Sequence, residues 1–431
     1  MPASPDRRPP EEYCMTSDTK RAFLERSKRV WNPHKTQEWQ NRGVDIVLDT
    51  REGYCFDDLD GARLINMHLN GGVYNLGHRN PEVIAAVTEA MQHFDIGNHH
   101  FPSLMRTELA EALVATAPHM DYAIFASGGG EAIDIALKTA RHATRRRRIV
   151  SLENCYHGHT GLAVQAGAPR FADIFLCEPS PDEFTQVPFN DLAAMEAALA
   201  GGDAACVIME TIPATYGFPM PEPGYLAAVK ALCERYGALY IADEVQTGLM
   251  RTGSMWAITG YGVEPDLLVT GKGLSGGIYP IAAVLARAEA APWLNEDGWA
   301  HMSTFGGAEI GCAAALKVLE ISQRPETRAN VAALSDYFER ALSELQQKHA
   351  GFFTGVRRNG LIMGLEFDHP RGAEPVTRAL YEHGVWAIFS ALNPAVLQFK
   401  AGLLMDEALA ADVIARLDVA IEAARAELAA A

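Results

Sequence analysis

The sequence predicts an α/β fold with a mostly parallel central sheet, and three observations carry that expectation. From residue 121 onward, short apolar runs alternate with amphipathic helical stretches. The glycine-rich and polar segments in the middle of the chain stand at the ends of those runs, where open α/β sheets hold their ligands. The chain has 431 residues, 48% of them hydrophobic and 21% charged, enough for a large core and more than one lobe.

The elements follow in order. The opening MPASPDRRPPEEYCMTSD is polar, proline-rich and without an apolar core segment, so residues 1–20 are expected to be a disordered tail and not a secretory signal. Residues 43–70 alternate in polarity around Asp60-Gly61, as a hairpin does. Pro81 opens a helix over about 81–94, and another spans about 103–117. Next come the runs DYAIFAS, RIVSLE, AACVIMET, ALYIADEV, DLLVTGK and IAAVLA, with helices after Glu131 and over about 223–236. Beyond 308 the pattern is a helix, the strands LIMGLEF and AVLQFK, and a closing helix over about 406–428. The expected division is a tail (1–20), the N-terminal part of a small domain (21–71), a large domain (72–315) and the C-terminal part of the small domain (316–431).

Composition removes several function classes. A formal charge of -17 repels phosphate, which argues against nonspecific nucleic-acid or anionic-membrane binding. No apolar run is long enough to span a bilayer. Seven scattered cysteines without a CxxC fit reduced thiols in a cytoplasmic protein, and no metal-ligand spacing such as HExxH occurs.

Four pieces could carry chemistry. ASGGGEA (Ala126 to Ala132) joins a strand to a helix, and bare glycines such as Gly129 and Gly130 let backbone N–H groups reach an anion at the helix N-terminus. CYHGHT follows the next strand, and Tyr156 offers a flat face for a ring; a polar loop is the plainer reading. IADEVQTG ends an apolar strand with two carboxylates, Asp243 and Glu244, and a buried carboxylate would suit a protonated ring nitrogen; a solvated strand-end pair is the plainer reading. VTGKGLSGG sets Lys272 among four glycines, where burial would lower its pKa and make it a nucleophilic amine. Together these are the handles of pyridoxal 5'-phosphate: a phosphate, a flat ring, a ring nitrogen and an aldehyde. The segment from Gly271 to Gly276 also matches GxGxxG, but a dinucleotide fingerprint needs a helix there, and Pro280 and IAAVLA follow instead.

The order and spelling of these motifs resemble the class III aminotransferases, pyridoxal-phosphate enzymes of fold type I. The resemblance runs from about 28 to 428 through YNLGHRNPEV, SGGGEA, YHGHT, METIPATYG, ADEVQTGLMRTG, PDLLVTGKGLSGG and STFGG. It implies a transferase in which Lys272 forms the Schiff base, Asp243 pairs with the pyridine nitrogen and Gln246 lies near the ring hydroxyl. Gly129 and Gly130 would hold the phosphate, Tyr156 would stack, and Glu210 would stand near the ring. Thr304 would reach the phosphate of the neighbouring subunit, so a homodimer with shared active sites is implied. The partners would be a small amino donor and a 2-oxo acid acceptor; an aminomutase, racemase, epimerase or lyase on the same fold is the alternative outcome.

The departures lie on the substrate side. The family's HGRT arginine is His159 here, and the arginine that binds a carboxylate in many members falls on Gln398. Lys400 shares a face with Gln398 in an extended strand and becomes the candidate for the substrate's acid group, against the plainer reading of a solvated edge-strand lysine. Tyr74 and His159 complete the expected substrate-facing set. The run Arg145 to Arg148 is expected to be a solvated connection.

Overall fold

The computed structural model describes residues 20–430. The expected tail therefore lies outside the described residues, apart from Lys20, which opens a helix to Val30. A second helix, Pro33–Asn41, starts with proline, and the Asn32 side chain accepts a hydrogen bond from the Lys35 N–H as its cap. Strands β1 (Leu48–Glu52), β2 (Cys55–Asp58) and β3 (Arg63–Asn66) form an antiparallel meander, turned at Asp60-Gly61 between the last two.

The central sheet contains β4 (Tyr122–Ala126), β5 (Arg148–Leu152), β6 (Phe184–Val187), β7 (Ala204–Glu210), β8 (Leu239–Asp243), β9 (Leu267–Thr270) and β10 (Ala282–Ala286). Their order is β4-β10-β9-β8-β7-β5-β6. The β5/β6, β5/β7, β7/β8 and β8/β9 pairs are parallel, whereas β10 runs against both β9 and β4. Every residue of β7 is buried, as expected for a strand covered on both faces. After β9 comes one 3₁₀ turn, Lys272–Ser275, and then β10, so the GxGxxG match has no helix behind it.

Two helices, Glu309–Gln323 and Pro325–Lys348, lead into β11 (Phe353–Asn359), β12 (Ile362–Phe367), β13 (Val385–Trp386), β14 (Ile388–Ser390) and β15 (Asn393–Lys400). The sheet β11-β12-β15-β14 is antiparallel. Strand β13 instead pairs in parallel with β3, Val385 opposite Ile65, so distant parts of the chain share one sheet. The closing helix is Glu407–Ala430. Strand β11 escaped the sequence because only Phe353 in FTGVRRN is buried; its hairpin partner β12, not its own polarity, makes it a strand.

Two expectations are corrected. Arg146 and Arg148 are not simply solvated: Arg146 donates to the carbonyls of Ala204, Tyr236 and Gly237, and Arg148 to the Ala198 carbonyl, Thr185 and Asp203. They tie neighbouring strand and helix ends together because those ends leave carbonyls without ladder partners. Lys400 is not on an edge, since β14 and β12 flank its strand.

Candidate active site

Parallel pairing brings the candidate residues to one edge of the central sheet. Glu210 stands opposite Asp243 across β7/β8, and Asp243 stands opposite Val269 across β8/β9, three residues before Lys272. The Gly129–Thr144 helix starts from the end of β4.

The adjacent carboxylates Asp243 and Glu244 have opposite environments. Asp243 Oδ2 lies 2.7 Å from His157 Nδ1, and Oδ1 accepts from the Val245 N–H at 3.1 Å. Burial pulls the His157 imidazole down, but Cys155 and the Asp243 carboxylate outweigh it and hold it well above its ordinary range. Glu244 points the other way and accepts from Thr211 Oγ1 (2.5 Å), Thr247 Oγ1 (2.8 Å), the Ala257 N–H (2.9 Å) and the Ile258 N–H (2.8 Å). It caps a short helix and is taken out of any chemistry. Glu210 is buried, accepts from the Tyr156 and Ala214 N–H groups at 3.0 Å, and is raised to about 7 by burial and then by Asp243.

Lys272 has φ +42, a left-handed conformation unusual for a side chain of its kind. Burial lowers its pKa; Asp243 and Glu210 push back, and Arg251 adds to the lowering. Opposite it, Leu69, Asn70, Gly71 and Gly72 all have positive φ, forming a left-handed turn. A Cβ on Gly71 would stand 3.1 Å from Lys272 Cε, so this turn closes directly on the lysine stem. On its far side the Arg251 guanidinium donates to the Gly72 carbonyl (2.8 Å) and the Gln246 carbonyl (2.9 Å).

At the helix start, the Ser127 N–H and hydroxyl both donate to Glu131 Oε2, at 2.8 and 2.5 Å. A Cβ on Gly128 would meet nothing within 4 Å, so the front of the helix end is open. A Cβ on Gly130 would come within 2.9 Å of Thr160 Oγ1, so Thr160 brings a hydroxyl beside the glycine that lacks one. Tyr156 is half-buried and meets His159 (5.3 Å) and Phe171 (5.5 Å) edge to face.

The expected substrate-facing residues fall into separate places. Gln398 and Lys400 do share a face: Lys400 Nζ donates to Gln398 Oε1 at 2.9 Å, fully buried. Burial, then Arg251 and Lys272, push the Lys400 ammonium well below its ordinary range. Tyr74 packs on His78 with centroids 3.8 Å apart and lines a cavity of about 730 Å³ together with His68 and Asn70. His159 is exposed at the Tyr156 edge, and Thr304 is exposed on the loop between Asp297 and Ala308.

Sequence reasoning missed His157, Arg251, Thr160 and the Leu69–Gly72 turn. The signal for His157 was its place beside Tyr156 in CYHGHT; its partner is 86 residues away, visible only once β5 and β8 are folded together.

The residues fit a phosphorylated, ring-bearing aldehyde. Among the described residues nothing stands in front of Gly128 and Gln246 Oε1 is buried without a hydrogen-bond partner, while burial lowers the Lys272 pKa. Residues 37–421 match the aminotransferase class-III family. Over 382 residues the chain is 42% identical to an uncharacterized aminotransferase of Archaeoglobus fulgidus, covering 88% of this chain and 89% of the relative. Among solved structures it is similar to the ornithine aminotransferase of Toxoplasma gondii ME49, with 25% identity, a TM-score of 0.87 and coverage of 98% and 100% of the two chains. It is also similar to the acetylornithine aminotransferase of Elizabethkingia anophelis, with 27% identity, a TM-score of 0.81 and coverage of 94% and 100%. With the fold, the site and these relatives in agreement, the chain belongs to the class-III aminotransferases and is a pyridoxal-phosphate-dependent aminotransferase of fold type I.

Proposed function

We propose that Lys272 and Asp243 are the catalytic pair of this aminotransferase, with the other site residues in supporting roles. When bound, pyridoxal phosphate supplies the aldehyde carbon and the electron-withdrawing ring. Lys272 would hold the aldehyde, and its amine would take a proton from the amino donor's carbon and give one back. The Asp243 carboxylate would face the protonated ring nitrogen, and His157, 2.7 Å from Oδ2, would aim it. The N–H groups at Gly129 and Gly130 would hold the phosphate at the positive end of their helix. Tyr156 would cover one ring face, Gln246 would meet the ring hydroxyl, and Glu210 closes the site between Tyr156 and Asp243. The amino acceptor in this reading would be a 2-oxo acid.

The working unit in this reading is a homodimer with shared sites. Phe101, Leu104, Trp299, Met302 and Phe305 are each more than half exposed, an apolar patch of the kind a second copy covers. Thr304 is exposed on the same loop and in this reading would serve the partner's phosphate. Residues 72–315 form the large domain, and 21–71 with 316–431 form the small one, a division supported by the pairing of β3 with β13. The free thiols among the described residues fit a cytoplasmic protein.

The observation that carries the reading is that Asp243, fixed by His157, and Lys272 leave adjacent parallel strands at the same edge. The test is a single half-reaction without acceptor. L-alanine, L-glutamate, 4-aminobutyrate, L-ornithine and N-acetyl-L-ornithine are the donors; the last two are the compounds after which the similar structures are named. Conversion of one equivalent of bound cofactor to its amine form, with one equivalent of oxo product, is expected. Isomerised or eliminated product with the cofactor unchanged would replace this reading with the mutase or lyase one.

A further inference from the structure

The cavity of about 730 Å³ beside Tyr74 is lined by the two N-terminal helices, Lys20–Val30 and Pro33–Asn41, by the segment 44–48, and by residues between Asn66 and His78. This last stretch packs directly on the loop that carries Lys272. Asn70 lines the cavity, and a Cβ on its neighbour Gly71 would stand 3.1 Å from Lys272 Cε. Tyr74 lines it too, and a Cβ on Gly277, five residues after Lys272, would stand 2.7 Å from the Tyr74 ring. His68, a third lining residue, is close enough to Lys272 for the amine's charge to act on its imidazole. The cavity therefore lies against the reactive lysine, one backbone turn away from it.

The lining is apolar and its inner part carries no charge. Phe23, Trp31, Trp39, Phe56 and Trp386 supply aromatic rings. The charged lining residues, Arg26, Lys35 and Asp45, are all exposed, so charge stands on the solvent side. Both imidazoles are neutral at neutral pH. Burial, then Lys400 and Lys272, hold His68 well below its ordinary range, and burial, then Arg51, lowers His78 to about 4. An ionised acid carried to that depth would lose its water without meeting a buried cation on the wall. An apolar group gains by the same move. The volume also falls within the range of about 300–1,000 Å³ typical of small-molecule sites. We propose that this cavity takes the body of the amino donor, and that the donor is an amine carrying a large apolar group, aryl or long alkyl, which reaches Lys272 past the Asn70-Gly71 turn. This rests on the aminotransferase reading above and names the substrate class of that same site.

The test uses holoenzyme with straight-chain amines from propylamine to octylamine as donors, without acceptor, and reads how fast bound cofactor passes to its amine form. The second-order rate constant is expected to rise about two- to fourfold for each added methylene. Ser27 lines the cavity from the first helix, so Ser27→Phe fills part of it. The ratio of the octylamine to the propylamine rate constant should then fall about tenfold or more. In parallel, n-octanol, which has no amine, is titrated into each protein. Three of the six tryptophans, Trp31, Trp39 and Trp386, line the cavity. Wild type should therefore show a saturable change in tryptophan fluorescence, and Ser27→Phe should weaken that binding. If Ser27→Phe does not fold, Val30→Phe decides: Val30 lines the same cavity at 87% exposure, and the ratio must fall there too. Rate constants within about twofold from propylamine to octylamine, no saturable signal with n-octanol, or an unchanged ratio in the folded variant overturns the proposal. Saturable n-octanol binding with no conversion of bound cofactor by any of these amines, or by the donors named above, overturns the aminotransferase reading instead.

Discussion

Two lysines stand at strand ends near each other, and they differ in almost everything, Lys400 being fully buried and Lys272 only partly so. Lys272 follows β9 in a left-handed conformation bordered by glycines, and Asp243 and Glu210 act against the burial that lowers its pKa. Lys400 ends β15 in regular pairing, and only cations, Arg251 and Lys272, act on it besides burial. Lys272 thus stands in a strained turn beside two acids, the setting proposed for the reactive amine. Lys400 stands in a regular strand with one amide oxygen to hold. Backbone strain and nearby carboxylates separate the two lysines.

The sharpest way to break this contrast is to remove each amine. Lys272→Ala should lower turnover by about 10⁴-fold or more while the protein stays folded, whereas Lys400→Met should cost far less. Equal losses, measured as single-turnover rates with matched melting temperatures, would erase the distinction. The neighbouring carboxylates offer a second contrast. Asp243→Asn should reduce kcat/KM by about 10²–10³-fold with little change in melting temperature. Glu244→Gln should leave kcat/KM within severalfold but reduce stability by about 1–3 kcal/mol, because one accepting oxygen becomes an NH2 that faces two buried donors.

A pH titration sharpens the role of the acids around Lys272. Burial raises Glu210 from 4.5 to about 7, so the folded cofactor-free protein holds that proton more tightly than the unfolded chain. Its stabilising contribution is complete below about 4.5 and is lost as pH rises toward about 7. Relative to Glu210→Gln, cofactor-free wild type should lose about 3 kcal/mol of stability across that window, read from denaturant midpoints. The smallest effect is expected at the turn. Gly71→Ala adds a Cβ 3.1 Å from Lys272 Cε at a φ of +67, and about 1–2 kcal/mol of destabilisation should follow.

Much of this site is legible in the sequence because its groups lie at the ends of apolar runs. ALYIADEV and DLLVTGK announce adjacent buried strands, and their last polar residues are the ones the sheet brings together. What stays hidden depends on long-range pairing. Asp243 and Glu244 look equivalent in sequence, and only the position of the Ala257 and Ile258 N–H groups assigns one to structure. Nothing in LNGG announces a left-handed turn, and only the folded chain sets Lys272 against Gly71 and Arg251 against Gly72. Lys400 looked like an edge-strand residue because β14, three residues long, is too short to be seen. His157 stood in a motif already singled out for Tyr156, but its partner lies on another strand.

One measurement tests the central assignment most directly: borohydride reduction of holoenzyme followed by peptide mapping. The account predicts a single pyridoxyl adduct, carried by Lys272 and absent from Lys272→Ala. An adduct on Lys400 or any other lysine, or a chromophore that reduction leaves unattached, would contradict it.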